Sequence, residues 1–224
     1  MKNAVIIMTK VPVAGNVKTR LQPTLSAEKC ATLAECFLAD TVSKIKLLQI
    51  PLIIAFAPVE QRKNLLKMLP DEQMLVEQTG VNLGEKMFNA FQFAFSQNLD
   101  AVVMVGTDSP TFPGEFVTRA FEKLSESDAV IGRTADGGFY LIGLRMLRKE
   151  IFAKVEWSSP QTFEQTTRNI EKLNLKLARL PDWYDVDTPN DLEILKADLA
   201  KNPDTAPQTF EFMKNLSAEI LRLF

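Results

Sequence analysis

The sequence predicts an α/β protein whose mainly parallel sheet is covered by helices on both faces. Three observations predict it. Short, near-continuous apolar runs, such as AVVMVG over Ala101–Gly106, read as strands buried on both sides. Amphipathic stretches with apolar residues three and four apart separate those runs. The 224 residues, 46% hydrophobic and 24% charged, supply enough core for one domain or at most two.

The elements follow in order. Asn3–Thr9 is an apolar run of strand length, followed by a long loop rich in Pro, Gly and basic residues. Ser26 is placed to cap a long helix on which Leu33, Ala34, Phe37, Leu38, Val42, Ile45 and Leu48 share a face. Pro51–Ala57 is a second buried strand, Gln61–Leu69 a short helix and Met74–Glu77 a short strand. Asn82 to Glu85 resembles a capping box opening a helix with Met87, Phe88, Phe91, Ala94 and Phe95 on one face. Ala101–Gly106 is a strand, and Phe116–Leu124 a helix that Pro113 can start. Ala129–Gly132 and Phe139–Leu144 are strands, Thr162–Leu173 a helix, Leu175–Arg179 a strand and Pro189–Leu199 a helix. KNPDTAPQ over 201–208 reads as a linker. Beyond it Phe210, Met213, Leu216 and Ile220 recur at helical spacing. This divides the chain into a domain over 1–200 and a linker plus amphipathic helix over 201–224. That helix is expected to dock on the domain, the alternative being the partner subunit of a homodimer.

Composition excludes whole classes of chemistry. Histidine is absent, which removes His-based triads, His-ligated zinc and imidazole acid–base work. The formal net charge of −2, from 26 basic and 28 acidic residues, lacks the broad basic field of a nonspecific nucleic-acid binder. The opening apolar stretch Ala4–Met8 is too short for a signal-peptide core or a membrane span. The cysteines, Cys30 and Cys36, point in different directions from one helix and make a poor disulfide pair. The expected location is a reducing cytoplasm, with no membrane and no nucleic-acid partner.

In a parallel sheet, ligands bind at the carboxyl ends of the strands, and four segments fall there. KVPVAGNVKTRL (Lys10–Leu21) follows the first strand. Lys18 as a point charge and Arg20 as a fork suit a di- or triphosphate, and Gly15 lets the backbone approach an oxyanion. The order of a Walker loop is missing. A solvated basic loop is the alternative. GTDSP (Gly106–Pro110) follows the most apolar strand. Asp108 there can hold Mg²⁺ with bound phosphates, or merely cap a turn. Asp136-Gly137-Gly138 is, taken alone, a hairpin turn, from which Arg133 and Asp136 could contact an acceptor. In DVDTPND (Asp185–Asp191), Thr188 and Asp191 fit a capping box with Pro189 at the first helical position. Asp187 is then free of the cap. Asp185 and Asp187 face one side of an extended segment, which calls for a cation between them or for solvent exposure.

KVPVAGNVKTRL, TGVNLGEKM, GTDSPTFP, DGGFYLIGL, WSSP and DVDTPNDL, in this order, resemble the DUF2064 family of GT-A-type transferases. That family is related to the 2-phospholactate guanylyltransferases and, more distantly, to molybdenum-cofactor guanylyltransferase and nucleotide-sugar enzymes. The resemblance spans about residues 3–200. It implies the nucleotide-diphospho-sugar transferase fold, a Rossmann-like α/β/α sandwich of three layers with a mixed central sheet. It implies that the Lys18–Arg20 loop, with Lys10 and Gly15, lies on nucleotide phosphates. It implies that Gly80, Asn82, Leu83 and Gly84 frame base and ribose, and that Asp108 and Asp187, helped by Asp185, hold Mg²⁺ or Mn²⁺. Arg133, Asp136, Gly137 and Gly138 would line the acceptor side. Val81-Asn82 stands where similar proteins often carry Gly-Asp.

The expected activity is a Mg²⁺-dependent transfer of a nucleotidyl group from a nucleoside triphosphate to a small phosphorylated or carboxylated acceptor, with Lys18, Arg20 and Asp108 central. The paired cations favour a triphosphate donor. Glycosyl transfer from a nucleotide-sugar, and a non-catalytic nucleotide-binding module, are the alternatives.

Overall fold

A computed structural model describes residues 2–69 and 74–221. Seven strands form one sheet: β1 (Asn3–Lys10), β2 (Leu52–Ala57), β3 (Met74–Glu77), β4 (Ala101–Gly106), β5 (Ala129–Arg133), β6 (Phe139–Leu144) and β7 (Leu177–Arg179). Their order across the sheet is β3-β2-β1-β4-β6-β5-β7. All neighbours run parallel except β6, which is antiparallel to both β4 and β5. The helices are α1 (Ala27–Leu47), α2 (Arg62–Met68), α3 (Leu83–Phe95), α4 (Glu115–Leu124), α5 (Thr162–Lys172), α6 (Pro189–Lys201) and α7 (Pro207–Leu221).

The strands alternate in a way that builds three layers. Val5 and Ile7 of β1 face one way, with Ile54, Phe56, Val103 and Val105, against α1, α2 and α4. Ala4 and Ile6 face the other way, with Ile53, Ala55, Val102 and Met104, against α3 and α5. Period-two alternation with both faces apolar is what a sheet buried on both sides demands. A third cluster joins the outer flank of α1 (Cys30, Leu33, Phe37) to Leu21, Val186, α6 and α7. No helix among the described residues is long and apolar enough to cross a membrane.

Local signals set most helix starts. Ser26 caps α1 by accepting from the Lys29 N–H at 3.3 Å. Asn82 caps α3 by accepting from the Glu85 N–H at 3.0 Å, while the Glu85 carboxylate accepts from the Val81 N–H at 3.0 Å and the Asn82 side-chain amide at 3.4 Å rather than from the backbone N–H of the cap residue. The box at α6 is complete: Asp191 accepts from the Thr188 N–H at 2.7 Å, with Pro189 opening the helix. Pro113 does not open α4; Gly114 occupies the cap and the helix begins at Glu115. The 201–208 stretch, expected as a linker, is instead the end of α6, a 3-10 turn over Pro203–Thr205 and the start of α7. The cap of α7 comes from α1. Buried Asp40 accepts from the Gln208 N–H at 3.0 Å, the Thr209 N–H at 2.8 Å and the Thr209 hydroxyl at 2.6 Å. With Met213 in the third cluster, α7 docks on its own chain. The side chain of Ile220 lies outside the described residues. Cys30 and Cys36 are free thiols, and burial pushes both up, Cys36 to about 11 with help from Asp40 and Glu35.

Candidate active site

A cavity of about 590 Å³ opens at the carboxyl ends of β1 and β4. Its walls include Met8–Lys10, Asn16–Arg20, Gln78, Leu83, Lys86, Gly106–Asp108, Phe139, Tyr140, Ser158 and Asp187. Four cations (Lys10, Lys18, Arg20, Lys86) and two carboxylates (Asp108, Asp187) therefore share one space.

The centre of this site is an ionic junction. The Lys18 ammonium donates to Asp108, to Asp187 at 3.0 Å and to the Val186 carbonyl at 2.9 Å. Three acceptors match the three donors of an ammonium. The Lys18 side chain is 6% exposed and crosses the Phe37 ring, with Nζ 5.3 Å from its centre. Burial works against the charge, but Asp108 and Asp187 outweigh it through charge and hydrogen bonds, holding the Lys18 pKa above its ordinary value. Its backbone is left-handed, φ 48° and ψ 37°, where it leads into the 3-10 turn Thr19–Leu21. Arg20 is exposed, with its guanidinium 3.7 Å from the second oxygen of Asp187.

Two loops meet there for identifiable reasons. After β7 the chain runs back over the sheet's carboxyl edge. Trp183 N–H donates to the Arg133 carbonyl at 3.0 Å and Val186 N–H to the Asp108 carbonyl at 2.8 Å, so Asp187 is laced beside Asp108. A side-chain chain reinforces the lacing: the Thr111 hydroxyl donates to Tyr184 at 2.7 Å, and the Tyr184 hydroxyl to Asp198 of α6 at 2.7 Å. From α1, Lys44 donates to the Pro110 and Phe112 carbonyls at 2.6 Å each, pinning the loop that carries Asp108. Burial draws the Lys44 pKa down to about 8.

Some sequence candidates are in the cavity and others are not. Lys10, Lys18, Arg20, Leu83, Asp108 and Asp187 line it. Gly15 lies in the same loop at φ +83° with open space around it, next to lining residue Asn16. Gly80 holds a positive φ of +124°, where an added Cβ would strike Glu85. Asn82 is spent on the α3 cap. Gly84 is buried, and an added Cβ would stand 2.5 Å from the Trp157 indole, so it serves packing. Asp185 stands outside the lining, although an extended segment was expected to aim it with Asp187. Burial and then the charges of Asp136, Asp187 and Asp108 push its carboxyl up to about 7.

The acceptor-side candidates form a hairpin corner outside the lining. Asp136 accepts from the Thr134 hydroxyl at 2.6 Å and the Gly138 N–H at 2.9 Å. Gly137, φ +89°, leaves no room for a Cβ against the Pro160 carbonyl. Arg133 lays its guanidinium over Phe163, because the strand ends there and α5 offers an aromatic face. Lys86, Ser158 and Gln78 carry no site role in the sequence analysis, although Lys86 and Ser158 stand within TGVNLGEKM and WSSP. The Gln78 amide donates to the Thr9 and Ala55 carbonyls at 2.9 Å each, closing the ends of β1 and β2. Their signal was weak: Gln78 directly follows β3, Lys86 sits in the first turn of α3 and Ser158 lies in a turn, all places where single polar residues are common.

The donor set fits a divalent cation in part. Two carboxylates already converge on one cation, the Lys18 ammonium. No group of three or more acidic or Cys side chains placed to hold a metal exists among the described residues. Two converging carboxylates are as many as Mg²⁺ commonly takes from a protein, the rest of its shell coming from water and substrate phosphates.

The chain is similar over 99% of its length, and 97% of the other, to a candidate nucleotide-diphospho-sugar transferase from Desulfovibrio desulfuricans G20, at 31% identity and a TM-score of 0.92. It shares its fold with a 4-diphosphocytidyl-2C-methyl-D-erythritol synthase from Anaerococcus prevotii DSM 20548, at 14% identity over 88% and 96% of the two chains and a TM-score of 0.58. The same holds for a Mycobacterium tuberculosis H37Rv protein complexed with manganese, at 13% identity over 87% and 98% and a TM-score of 0.53. No curated protein matches. The family model described as uncharacterized protein conserved in bacteria, DUF2064, matches residues 41–159. On the nucleotide-diphospho-sugar transferase fold that these structures share, the chain belongs to the DUF2064 family.

Proposed function

We propose that this protein transfers a nucleotidyl group from a nucleoside triphosphate to a small anionic acceptor. One observation carries the reading: four cations and two converging carboxylates line a single cavity at the sheet's carboxyl edge. A triphosphate is the donor whose charge best uses four cations. The nucleotide-diphospho-sugar transferase description of the D. desulfuricans protein supports a nucleotide-bearing donor, and the manganese complex of the M. tuberculosis protein supports a divalent cation.

Asp108 and Asp187 would hold Mg²⁺ or Mn²⁺, which when bound would withdraw charge from the reacting phosphate. Lys18, Arg20, Lys10 and Lys86 would neutralise charge that builds on the remaining phosphates. Leu83 and Lys86 would border base and ribose. The acceptor would approach past Ser158 and the Asp136 corner. Among the described residues Asp108 and Asp187 are the carboxylates of the lining, and both are engaged by Lys18. An acceptor phosphate or carboxylate needs no base, since it is ionised near neutral pH. Positioning and fixed charge then supply the acceleration. A sugar hydroxyl acceptor would need a base, which among the described residues falls to a carboxylate outside the lining such as Asp136; this places glycosyl transfer second, although the D. desulfuricans relative keeps it in view.

The test is a melting panel of the four nucleoside triphosphates and common nucleotide-sugars, each with and without Mg²⁺, followed by product analysis. A ligand at 100 times its Kd adds about 2.7 kcal/mol, a rise of roughly 5–10 °C for a chain of this size. Pyrophosphate release supports nucleotidyl transfer, and nucleoside diphosphate release supports glycosyl transfer. Binding without turnover of any acceptor supports a binding module, and a panel that never moves the melting point overturns the reading.

A further inference from the structure

We infer that Lys18 gates the cation site: its ammonium and a divalent cation compete for the same Asp108 and Asp187 oxygens, so the cation binds tightly only when nucleotide phosphates draw Lys18 away. The inference rests on the function proposed above and adds an order of binding to it.

The geometry argues for competition rather than coexistence. One ammonium touches both carboxylates and the Val186 carbonyl, so all three of its donors are spent on this position. Mg²⁺ would stand about 2.0–2.1 Å from carboxylate oxygens of the same two residues, crowding the space the ammonium fills. Like charges at that separation repel strongly in a part-buried site. Arg20 cannot take over the bridge, because it is 67% exposed and reaches Asp187 alone, at 3.7 Å. Lys18 can leave without backbone movement, since its long stem turns on single bonds and the same cavity opens beside it. Leaving empty-handed is costly, because the charge would lose both carboxylates. Phosphate oxygens supply the replacement partners. Cation and nucleotide thus favour one another by more than their direct contact, and that coupling is reciprocal.

The test titrates Mn²⁺ alone, without nucleotide, into the full-length protein and counts free Mn²⁺ by electron paramagnetic resonance. Lys18→Met should bind Mn²⁺ at least tenfold more tightly than wild type. Lys10→Met removes an equal charge from the same cavity without touching either carboxylate, and should change the affinity by less than threefold. A second measurement uses the wild-type chain only. Reductive methylation read by mass spectrometry should find Lys18 protected in the free protein and reactive at saturating Mn²⁺. Equal Mn²⁺ affinity of wild type and Lys18→Met, or a Lys18 still protected with Mn²⁺ bound, overturns the gate and leaves the proposed function standing. Absence of Mn²⁺ binding by every form, together with a melting point that no nucleoside triphosphate moves with Mn²⁺ present, overturns both.

Discussion

Replacing Asp40 by alanine should lower stability by about 3 kcal/mol. Asp40 is 2% exposed and accepts three hydrogen bonds from the first turn of α7. Gln208 is exposed, so its N–H turns to water at little cost. Thr209 is 0% exposed, and its N–H and hydroxyl would be stranded. A stranded buried donor costs about 1–3 kcal/mol, and two at the lower middle of that range give roughly 3 kcal/mol, somewhat above the usual loss of a helix cap. For a chain of this length the melting point should fall by about 6–12 °C. Asp40→Asn keeps the shape and one carbonyl acceptor. If that oxygen stays on Thr209, the loss shrinks to about 1 kcal/mol. A double-mutant cycle with Thr209→Val isolates the hydroxyl bond, whose coupling should be about 1 kcal/mol. Denaturant and thermal melts followed by circular dichroism suffice. An Asp40→Ala melt within about 1 °C of wild type, or a zero coupling with Thr209, would show that α7 is not held by this carboxylate.

Three further outcomes follow from the geometry. Asp185 has a folded pKa of about 7 against an ordinary 3.8, so the folded state holds the extra proton between those values. Its contribution is therefore fully present below pH 4 and lost as pH rises through 7. Asp185→Asn should gain on wild type by about 1–2 kcal/mol between pH 4 and 8, after discounting for its partial exposure; parallel pH profiles of the two proteins would contradict this. Gly84→Ala should cost about 1–3 kcal/mol and shift tryptophan emission, because the new methyl meets the Trp157 ring at 2.5 Å; an unchanged spectrum would mean the packing is looser than drawn. Arg20→Ala should leave stability within about 0.5 kcal/mol, as expected for an exposed pair, while weakening triphosphate binding about tenfold by loss of a charge-assisted contact; equal affinity would remove Arg20 from the phosphate site.

The sheet was legible where its signal is local. β1 and β4 are apolar on both faces, and that alone demands helices above and below. The Asp136-Gly137 turn between two short apolar runs announces a hairpin, and β5 and β6 are indeed antiparallel neighbours. The position of β6 was not legible, because its insertion between β4 and β5 depends on which apolar faces meet after folding. The same limit hid Asp40. A carboxylate in mid-helix usually faces water, and nothing near it in sequence says that a helix start 168 positions later will need an acceptor.

The candidate site divides along the same line. The Thr188–Asp191 box is a local motif, and although Asp191 also accepts from the Asp187 N–H at 3.1 Å, it leaves the Asp187 carboxylate free of the cap. Lys18 was legible as a cation near a strand end, which suits phosphate, but its actual partners stand 90 and 169 positions away. Residue type reports what charge a side chain brings; it does not report which opposite charge reaches it first. In this cavity the acidic partners reach Lys18 from two loops laced together by a single main-chain bond, Val186 to Asp108. The pairing is therefore a property of the crossover after β7, not of the basic loop itself. It follows that changes in the crossover, such as loss of the Tyr184 hydroxyl that ties Thr111 to Asp198, should alter how firmly the carboxylates hold Lys18, whereas changes within Val11–Val17 should act on Lys18 only by moving its backbone.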